Sequence, residues 1–506
     1  MKSAGVPSLL LMEHAAEAVA KAAYSHTPRK ILTVAGYGNN GADGLAASRI
    51  LKGLGIDSDI LLIGNADRST DEWKIQSRIC NAAGINFYIG IDDLKAREPD
   101  AANAYDVVID ALLGIGSSRE LTGEYLRAAE LINGLKDHNK FLTVIAVDIP
   151  TGLHPDTGKV LGKAVNADET VTFFRLKSGL LLNKGREYSG SISIADPMPV
   201  VGADESFIDD DRMLMAVDDD DMLKAFKRDR TGNKATFGKV LCICGSAAMP
   251  GACILNARAA FNSGVGMVKI LSDEKNRDLL MHEVPEVMFS SYNGIPTEDL
   301  EKAVAWCDCM IIGCGLGTSS EARELFHRAV KIADRMGKYL VIDADGLNIL
   351  SGDISLLKDL NIRPVLTPHP GEWRRLFPEQ ADAYNDPDAV KILANEYKCV
   401  IAAKDATTII SDGALVFLNK NGNEGMATAG SGDVLAGIMG ALLAGRNNES
   451  NVYKAALAVY LHGAAGDLAS KNKGSVSVTA SDIIDEIHAV ITDKSVNDLC
   501  ERVIRK

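Results

Sequence analysis

The chain has 506 residues, more than a single hydrophobic core usually serves, so two or three domains are expected. Hydrophobic residues make up 46% and charged residues 24%, which excludes disorder or a fibrous architecture for the chain as a whole. Lys and Arg total 54 against 68 Asp and Glu, a formal charge of −14. Because binding to nucleic acid requires a basic face, we expect no nucleic-acid partner.

The N-terminal segment shows no secretory signal, because its amphipathic stretch 9–23 contains Glu13, His14 and Glu17. No apolar run reaches the roughly 18 residues that a membrane span requires. The nine cysteines include no Cys-x-x-Cys pair, and several lie in strand-like apolar runs. This pattern is typical of buried thiols in a reducing compartment. We therefore expect a cytoplasmic protein without a membrane partner.

Strand-like and helix-like segments alternate through the first half, which predicts α/β units on a mostly parallel sheet. Helices are predicted over 45–54 and 71–83. The predicted strands are 31–35, 60–63, 107–110, 144–148 and 170–174.

The pattern stops near 197–202 and is followed by the acidic runs 209–211 and 218–221, which we interpret as solvated linker and helix-start charges. A basic, polar stretch follows at 224–234. We place a domain boundary near residue 212, which gives domains 1–212 and 213–506. The strands predicted for the second half are 239–244, 267–271, 310–313, 340–343, 365–367 and 400–403.

Three loops of the first half follow predicted strands and carry polar side chains. The loop 36–41 fits the pattern G-x-G-x-x-G before a helix, although a glycine-rich turn without a ligand would fit it too. Asp110 and Asp148 each end a strand, and either could simply cap a helix. Because the carboxyl ends of parallel strands share one edge, we expect the loops to meet there. Their oxygen-bearing side chains suit a cation, a ribose or an amide; they are Asn39, Asn40, Asp43, Asp110, Asp148 and Thr151.

Four segments of this half together resemble the NAD(P)H-hydrate epimerase domain: 36–44, 108–116, 148–153 and 156–158. The stretch 7–13 resembles its opening helix, which in that family usually has residues before it, so an upstream start would fit the resemblance. One departure is Ala42, where the family usually has glycine.

The epimerase resemblance implies a Rossmann-like three-layer sandwich. It also implies a potassium ion held by Asn40, Asp110 and Thr151, and Asp148 as the candidate catalytic acid or base. The implied contacts to a hydrated nicotinamide dinucleotide are Asn39, Asn40, Gly41, Ala42, Asp43, Gly114, Ile115, Gly116, Ser117, Ser118, Arg119, Glu120 and Asp148.

A glycine-rich turn, 428–433, precedes the apolar helical stretch 434–444 in the second half. Free N–H groups at such a helix start bind a phosphoryl group in transfer. Asp433 is placed to take a proton from an attacking hydroxyl, although an acid in the first turn of a helix is common without any such role. No G-x-x-x-x-G-K-[ST] sequence occurs, which argues against a Walker-type site.

This turn resembles that of ribokinase-like folds, and an ordered series of motifs resembles the nucleotide-dependent NAD(P)H-hydrate dehydratase. The motifs lie at 236–246, 250–252, 264–268, 313–317, 343–348 and 367–372. The resemblance implies a ribokinase-like three-layer sandwich, substrate contacts at Ala252, Gly317, His369 and Asp433, and nucleotide contacts at Lys404, Asp405, Ala406, Thr407, Thr408 and Gly432. Asp405 departs from the glycine that the family often has there. His462 we interpret as a packed histidine.

Together the two resemblances imply repair of hydrated NADH and NADPH. The first domain would interconvert the R and S hydrates. The second would phosphorylate the C6 hydroxyl of the S hydrate and eliminate phosphate, with Mg²⁺ and with ADP as the donor. ADP rather than ATP is implied only by the fused arrangement. We also expect a homo-oligomer.

Three alternatives stay open at this stage. The second half could be a small-molecule kinase that releases a stable phosphate ester. The first half could be a Rossmann dehydrogenase that uses intact cofactor, although Asn39, Asn40 and Thr151 argue against it. The first half could also be a binding module without activity.

Overall fold

The computed structural model describes residues 6–116, 118–196, 214–217, 221–222, 225–226, 231–445 and 449–492. The chain divides into two compact units, whose described residues end at Asp196 in the first unit and begin at Leu214 in the second. Ser117, the segment 197–202, the acidic run 209–211, most of the run 218–221 and the predicted boundary near 212 lie outside the described residues, so the boundary stays a prediction.

The first unit alternates strands and helices along the chain. Its helices are α1 (Ser8–Ser25), α2 (Asn39–Gly53), α3 (Asp71–Ala82), α4 (Ile91–Arg97), α5 (Ala101–Ala104), α6 (Gly123–His138) and α7 (Gly185–Ser189). Its strands are β1 (Lys30–Ala35), β2 (Asp57–Leu62), β3 (Asn86–Ile89), β4 (Val107–Ala111), β5 (Thr143–Val147), β6 (Glu169–Phe173) and β7 (Ser191–Ala195).

These strands form one parallel sheet in the order β3-β2-β1-β4-β5-β6-β7. The chain runs outward from β1 to β3 and then returns to place β4 on the other side of β1. The strand order therefore reverses between β1 and β4, and a crevice opens at such a point beside the carboxyl ends of the strands.

Both faces of this sheet are buried, because alternate residues of one strand enter different cores. Ile31 and Ala35 pack with α1, α2 and α3, whereas Leu32 and Val34 pack with α4, α5 and α6. Period-two burial on both faces is what a parallel sheet between two helix layers requires. The unit is thus a three-layer α/β sandwich, as the resemblance implied.

The second unit is larger and follows the same alternation. Its helices are α8 (Gly251–Asn262), α9 (Arg277–Glu283), α10 (Thr297–Trp306), α11 (Ser320–Arg335), α12 (Asp345–Leu350), α13 (Pro370–Leu376), α14 (Pro387–Glu396), α15 (Ser431–Ala444), α16 (Asn451–Lys473) and α17 (Ala480–Thr492). Its strands are β8 (Lys239–Ile243), β9 (Met267–Ser272), β10 (Met288–Ser291), β11 (Cys309–Ile312), β12 (Tyr339–Ile342), β13 (Val365–Leu366), β14 (Val400–Ala403), β15 (Ile409–Ser411) and β16 (Val416–Leu418).

The second sheet has the order β10-β9-β8-β11-β12-β13-β14-β15-β16, and only the pairings of β15 are antiparallel. Its order reverses between β8 and β11. Helix α15 is buried on nearly all sides between this sheet and helices α8 and α16. An apolar sequence all round a helix is typical of such a position.

The predicted central strands are confirmed within one to three residues at either end. The predictions missed β3, β7, β10, β15 and β16, which lie toward the sheet edges and are short. The eight cysteines within the described ranges are buried and unpaired, as expected. None of the described helices combines the length and the apolar character that crossing a membrane would require.

Candidate active sites

The first site begins at the turn between β1 and α2. A Cβ on Gly41 would lie 1.9 Å from the carbonyl oxygen of Gly36, so only glycine fits this approach of the helix to the turn. The indole Nε1 of Trp73 donates to the same oxygen at 3.0 Å and holds the turn in place. Helix α2 starts at Asn39 with Gly38 as its N-cap, so no side chain occupies its first N–H groups. This helix start is free to meet an anionic or polar ligand.

Asp110 lies near the end of β4 and is fully buried. Its carboxylate accepts hydrogen bonds from the backbone N–H and the hydroxyl of Thr151, at 2.8 and 2.7 Å, and from the N–H of Leu112 at 3.3 Å. Burial raises the pKa of Asp110 to about 6. A cation beside this carboxylate would offset the cost of burying its charge.

Asn40 supplies a second polar group on the neighbouring helix. Its amide Nδ2 is buried and has no hydrogen-bond partner among the described residues. A Cβ on Gly114 would lie 3.2 Å from its Oδ1, so the loop after β4 passes directly over this side chain. Amide, hydroxyl and carboxylate oxygens are ligands for a hard cation, so Asn40, Asp110 and Thr151 fit the predicted potassium site.

Asp148 follows β5 and has a backbone φ of 68°, a left-handed conformation that is uncommon outside glycine. Its N–H donates to the carbonyl of Val171 at 2.8 Å, which ties this strained residue to β6. Its Oδ1 lies 2.6 Å from the Nζ of Lys177 and 3.2 Å from the hydroxyl of Thr172. Strain of this kind is found at functional sites more often than elsewhere.

Two neighbouring residues of α2, Asp43 and Ala42, differ in their position relative to the site. Burial, and then the charge of Asp148, raises the pKa of Asp43, which shows that the two carboxyl groups influence each other. Ala42, in contrast, turns away, because its methyl group is fully buried in the core under α2. The departure from glycine at this position therefore adds apolar contact and does not narrow the site.

The loop after β4 carries most of the remaining predicted substrate contacts. Asn39 is exposed on the first turn of α2, and Ile115 is 57% exposed. Gly116, Ser118, Arg119 and Glu120 are exposed as well. Their contact with a dinucleotide stays a prediction.

The second site is built on the turn before α15. Gly430 has a φ of 88°, a left-handed conformation that suits glycine, and serves as the N-cap. The helix begins at Ser431, three residues before the predicted start. Asp433 therefore lies within the first helical turn, because the glycines at 430 and 432 belong to the cap and the helix. The N–H of Ser431 donates to the carbonyl of Thr428 at 3.3 Å, and no side chain caps the helix start, so the N–H groups of Gly432 and Asp433 are available to an anion.

Asp433 lies close to a second carboxylate. The thiol sulfur of Cys314 and one carboxylate oxygen each of Asp343 and Asp433 lie within 4.8 Å of one another. Burial, and then the charge of Asp343, raises the pKa of Asp433 to about 6. A carboxyl group with this pKa is ionised near neutral pH and is basic enough to accept a proton in catalysis.

Lys404 provides the positive charge of the site. Its Nζ lies 3.0 Å from Oδ1 of Asp343, which also accepts the hydroxyl of Thr367 at 2.6 Å. Although burial opposes the effect, the carboxylates of Asp343 and Glu372 raise the pKa of Lys404. A Cβ on Gly432 would lie 3.4 Å from its Nζ. The ammonium group therefore lies beside the candidate anion-binding turn.

A cleft of about 540 Å³ opens in front of this turn and is lined in part by Ala252, His369 and Asp433. His369 caps α13, because its Nδ1 accepts the N–H of Gly371 at 2.9 Å. Its side chain is half exposed, and burial followed by the charge of Lys404 lowers its pKa. The structure thus brings together three of the four predicted substrate contacts.

Gly317 and the remaining nucleotide-binding residues lie around this centre. The N–H of Gly317 donates to Oδ2 of Asp345, a residue that lines the cleft. Asp345 and Asp343 are separated by Ala344, whose φ of 50° sends the two carboxylates to different partners. Asp405 and Ala406 are exposed, while Thr407 and Thr408 are buried after β14.

A protein-bound Mg²⁺ does not fit the cluster of Cys314, Asp343 and Asp433. A thiol is a soft ligand, whereas Mg²⁺ prefers oxygen and nearly ideal octahedral geometry. One oxygen of Asp343 is already bonded to Lys404 and Thr367. Since Mg²⁺ in phosphoryl-transfer sites is held largely by substrate phosphates, we expect it to arrive with the nucleotide.

Both sites extend along the carboxyl ends of the parallel strands from the point where the strand order reverses, and each combines a buried carboxylate, a lysine and a helix start without a capping side chain. This fold and these sites define a two-domain α/β enzyme. A family model described as NAD(P)H-hydrate dehydratase matches residues 240–489. A second model, described as YjeF-related protein N-terminus, matches residues 8–179.

Relatives of nearly full length carry both parts. The bifunctional NAD(P)H-hydrate repair enzyme Nnr of Moorella thermoacetica is 34% identical over 508 residues, with 96% of this chain and 93% of the relative covered. The enzyme of the same name from Escherichia coli is 31% identical, with 96% and 90% covered. A ribokinase-like superfamily protein from Enterococcus faecalis is 28% identical, with a TM-score of 0.50, 56% of this chain and 96% of that chain covered. The chain belongs to the family of bifunctional NAD(P)H-hydrate repair enzymes.

Sequence reasoning did not select Lys177, Asp343, Glu372 or Cys314 as site residues. Asp343 ends a predicted strand, which is the signal that selected Asp110 and Asp148. Glu372 lies in the motif 367–372 without an expected role of its own, and burial raises its pKa to about 7. Lys177 carries no signal, because nothing local shows that it reaches Asp148.

Proposed function

We propose that the chain repairs hydrated NADH and NADPH, with epimerisation in domain 1–212 and dehydration of the S hydrate in domain 213–506. One arrangement carries the proposal. Asp433 lies behind an uncapped helix start, faces the cleft that Ala252 and His369 line, and has the ammonium group of Lys404 beside the same turn. This geometry suits a hydroxyl group that attacks a phosphoryl group.

In the dehydratase step, Asp433 takes the proton of the C6 hydroxyl. The oxygen of that hydroxyl attacks the terminal phosphoryl group of the donor. The N–H groups of the turn 430–432 and the ammonium group of Lys404 stabilise the charge on that phosphoryl group. When ADP is the donor, AMP leaves. Phosphate then departs from C6 with the C–O electrons, a proton is lost from C5, and the ring double bond returns. Phosphate is a far better leaving group than hydroxide.

Substrate is held from the other side of the cleft. The half-exposed ring of His369 and the small side chain of Ala252 line the same cleft as Asp433 and are the proposed contacts to the partly saturated nicotinamide ring. Mg²⁺, if held by the donor phosphates, would supply positive charge that neutralises part of theirs. Lys404, Gly432 and the strand-end residues 405–408 are the proposed nucleotide contacts.

In the epimerase step, Asp148 is the proposed acid or base at C6. Its strained backbone fixes its direction, and an ion pair with Lys177 at 2.6 Å holds its carboxylate in place. The proposed potassium ligands Asn40, Asp110 and Thr151 lie on the adjoining elements. A bound potassium ion would add positive charge beside the ligand, and the start of α2 would offer N–H groups to its polar atoms.

The test uses purified full-length protein and epimer-mixed NADH hydrate, with Mg²⁺, K⁺ and either ADP or ATP. We expect near-ultraviolet absorbance of NADH to return fully, and only when a nucleotide is present. A stable phosphate ester found by mass spectrometry would instead indicate the small-molecule kinase. Oxidation or reduction of a second substrate with intact cofactor would indicate the dehydrogenase.

The epimerase assignment has its own control. Asp110→Ala should leave dehydration of the pure S hydrate intact and stop recovery of the R hydrate beyond its spontaneous rate. Unchanged recovery of the mixture would favour a binding module. The preference for ADP, the cytoplasmic location and the homo-oligomeric state stay predictions.

A further inference from the structure

His462 lies on α16 and is buried, with 9% of its surface exposed. Its Nε2 lies 3.2 Å from the hydroxyl oxygen of Ser431. Ser431 is the first residue of α15 and is also 9% exposed. It lies between Gly430, which has a left-handed backbone conformation, and Gly432. The histidine that sequence reasoning interpreted as a packed residue therefore contacts the anion-binding turn itself.

The imidazole of His462 is neutral near physiological pH. Burial, and then the charge of Lys404, lowers the pKa of His462 to about 4. A hydrogen bond with the backbone of Ser431 acts in the opposite direction, as a donated ring N–H would. A neutral imidazole has one donor and one acceptor nitrogen, so the tautomer with hydrogen on Nε2 can donate toward Ser431.

Ser431 lies in the chain between Gly430 and Gly432, within the candidate anion-binding turn. The next residue, Gly432, passes beside the Nζ of Lys404, and Asp433 follows within the same turn. When the hydroxyl oxygen of Ser431 accepts a hydrogen bond, its own O–H remains available as a donor. At an uncapped helix start, that donor adds to the backbone N–H groups as a partner for an anion.

We infer that His462 is a positioning residue: its Nε2–H donates to the hydroxyl oxygen of Ser431 and leaves the Ser431 O–H free to donate to the phosphoryl group of the nucleotide. The inference rests on the proposed function and deepens it. Ser431 becomes a phosphoryl contact, and His462 acts through it without touching the nucleotide.

Three substitutions at one position separate the hydrogen bond from simple packing. The side-chain amide nitrogen of glutamine reaches about as far as Nε2, whereas that of asparagine reaches only about as far as Nδ1. We expect His462→Gln to stay within about threefold of wild type. His462→Asn and His462→Leu should each raise KM for ADP and lower kcat by about tenfold, with KM for the S hydrate nearly unchanged.

Ser431→Ala should show the same loss as His462→Leu, and combining the two should add little, because both remove one path to the phosphoryl group. Equilibrium binding of Mg²⁺–ADP by calorimetry gives a readout independent of turnover and should weaken in the same order. His327→Leu, on α11 of the same unit, is the matched control, because His327 makes an edge contact with Phe326 and lies on another helix.

The inference is overturned if His462→Leu keeps wild-type kinetics, if asparagine restores function as well as glutamine, or if the losses of Ser431→Ala and His462→Leu are additive. Where the leucine variant does not fold, the glutamine and asparagine pair and Ser431→Ala decide the matter. A wild-type protein that fails to restore NADH from the S hydrate would refute the proposed function instead, so the two failures are distinct.

Discussion

The two candidate catalytic carboxylates are placed by opposite means. Asp148 has a strained left-handed backbone after a strand, and its charge is paired directly with Lys177 at 2.6 Å. Asp433 sits in an ordinary helical turn, where burial and the neighbouring charge of Asp343 raise its pKa to about 6. The Asp148 site thus combines a strained backbone with a directly paired carboxylate. The Asp433 site instead places two carboxylates close enough to repel each other.

This difference suits the two chemistries. A base for phosphoryl transfer works best with a pKa near the working pH. Burial and a neighbouring like charge raise the pKa of a carboxyl group toward that pH. An acid or base that must face a ring carbon works best when its direction is fixed, which a constrained backbone provides. The comparison makes four predictions, which run from the largest expected effect to the smallest.

Asp433→Asn should lower kcat for dehydration of the S hydrate by roughly 10³-fold, because the attacking hydroxyl loses its base. Epimerisation should stay at the wild-type rate. Asp388→Asn is the matched control, since Asp388 also lies at the start of a helix of the same unit but is exposed. The measurement is NADH absorbance with pure S hydrate; a loss smaller than about tenfold would remove Asp433 from this role.

Lys177→Met should lower the rate of epimerisation by about 10²-fold, since Asp148 loses the ion pair that holds its carboxylate in place. Interconversion of the two hydrates can be followed by chromatography without nucleotide. Lys184→Met is the control, because Lys184 makes an exposed ion pair with Glu187 in the same unit. If both variants epimerise equally well, the pairing of Lys177 with Asp148 has no part in the reaction.

Substituting Asp433 should raise the stability of the folded state, whereas substituting Asp148 should lower it. An acid whose pKa is raised by folding, here to about 6, destabilises the folded state as pH rises above its unfolded pKa of about 4, and the full loss of stability is present above its folded pKa. Asp433→Asn should therefore stabilise the second unit at pH 8, by on the order of 2–3 kcal/mol, and have no such effect below about pH 4.

Asp148→Asn should instead destabilise the first unit by about 1–3 kcal/mol, because the largely buried Lys177 loses its charged partner and keeps only the carbonyl of Phe173 at 2.8 Å. Asparagine tolerates the left-handed backbone, so strain is unchanged. Hydrogen exchange at β5 and at α15 reports on the two units separately. Effects of the same sign would contradict the contrast between the sites.

The pH profile of dehydration should show an acidic limb near pH 6, because Asp433 must be ionised to accept a proton. Asp343→Asn removes a like charge and frees Lys404, so the limb should move to lower pH even though the rate falls. The plot of kcat/KM against pH checks this, and roughly tenfold differences are expected at pH 5. A limb that stays in place or moves up would assign it to another group.

Much of the fold followed from local pattern. The central strands β1 and β8 are apolar runs next to glycines. The order of the motifs indicated the family of each unit. The missed strands lie toward the edges, where most residues of β3 and β7 are exposed or half-buried, so their sequences carry a weaker apolar signal. The start of α15 was placed late because glycine argues against a helix interior, although Gly430 and Gly432 serve here as cap and close contact.

The amino-acid sequence by itself determined which loops carry the candidate site residues, since a glycine turn before a helix and an aspartate at a strand end are local features. Only the tertiary structure decided which partner each acid has. Lys177 reaches Asp148, Lys404 reaches Asp343, and His462 reaches Ser431 across elements far apart in the chain. Charge pairing and burial act through space, so the groups that tune each acid become visible only when the sheets bring them together.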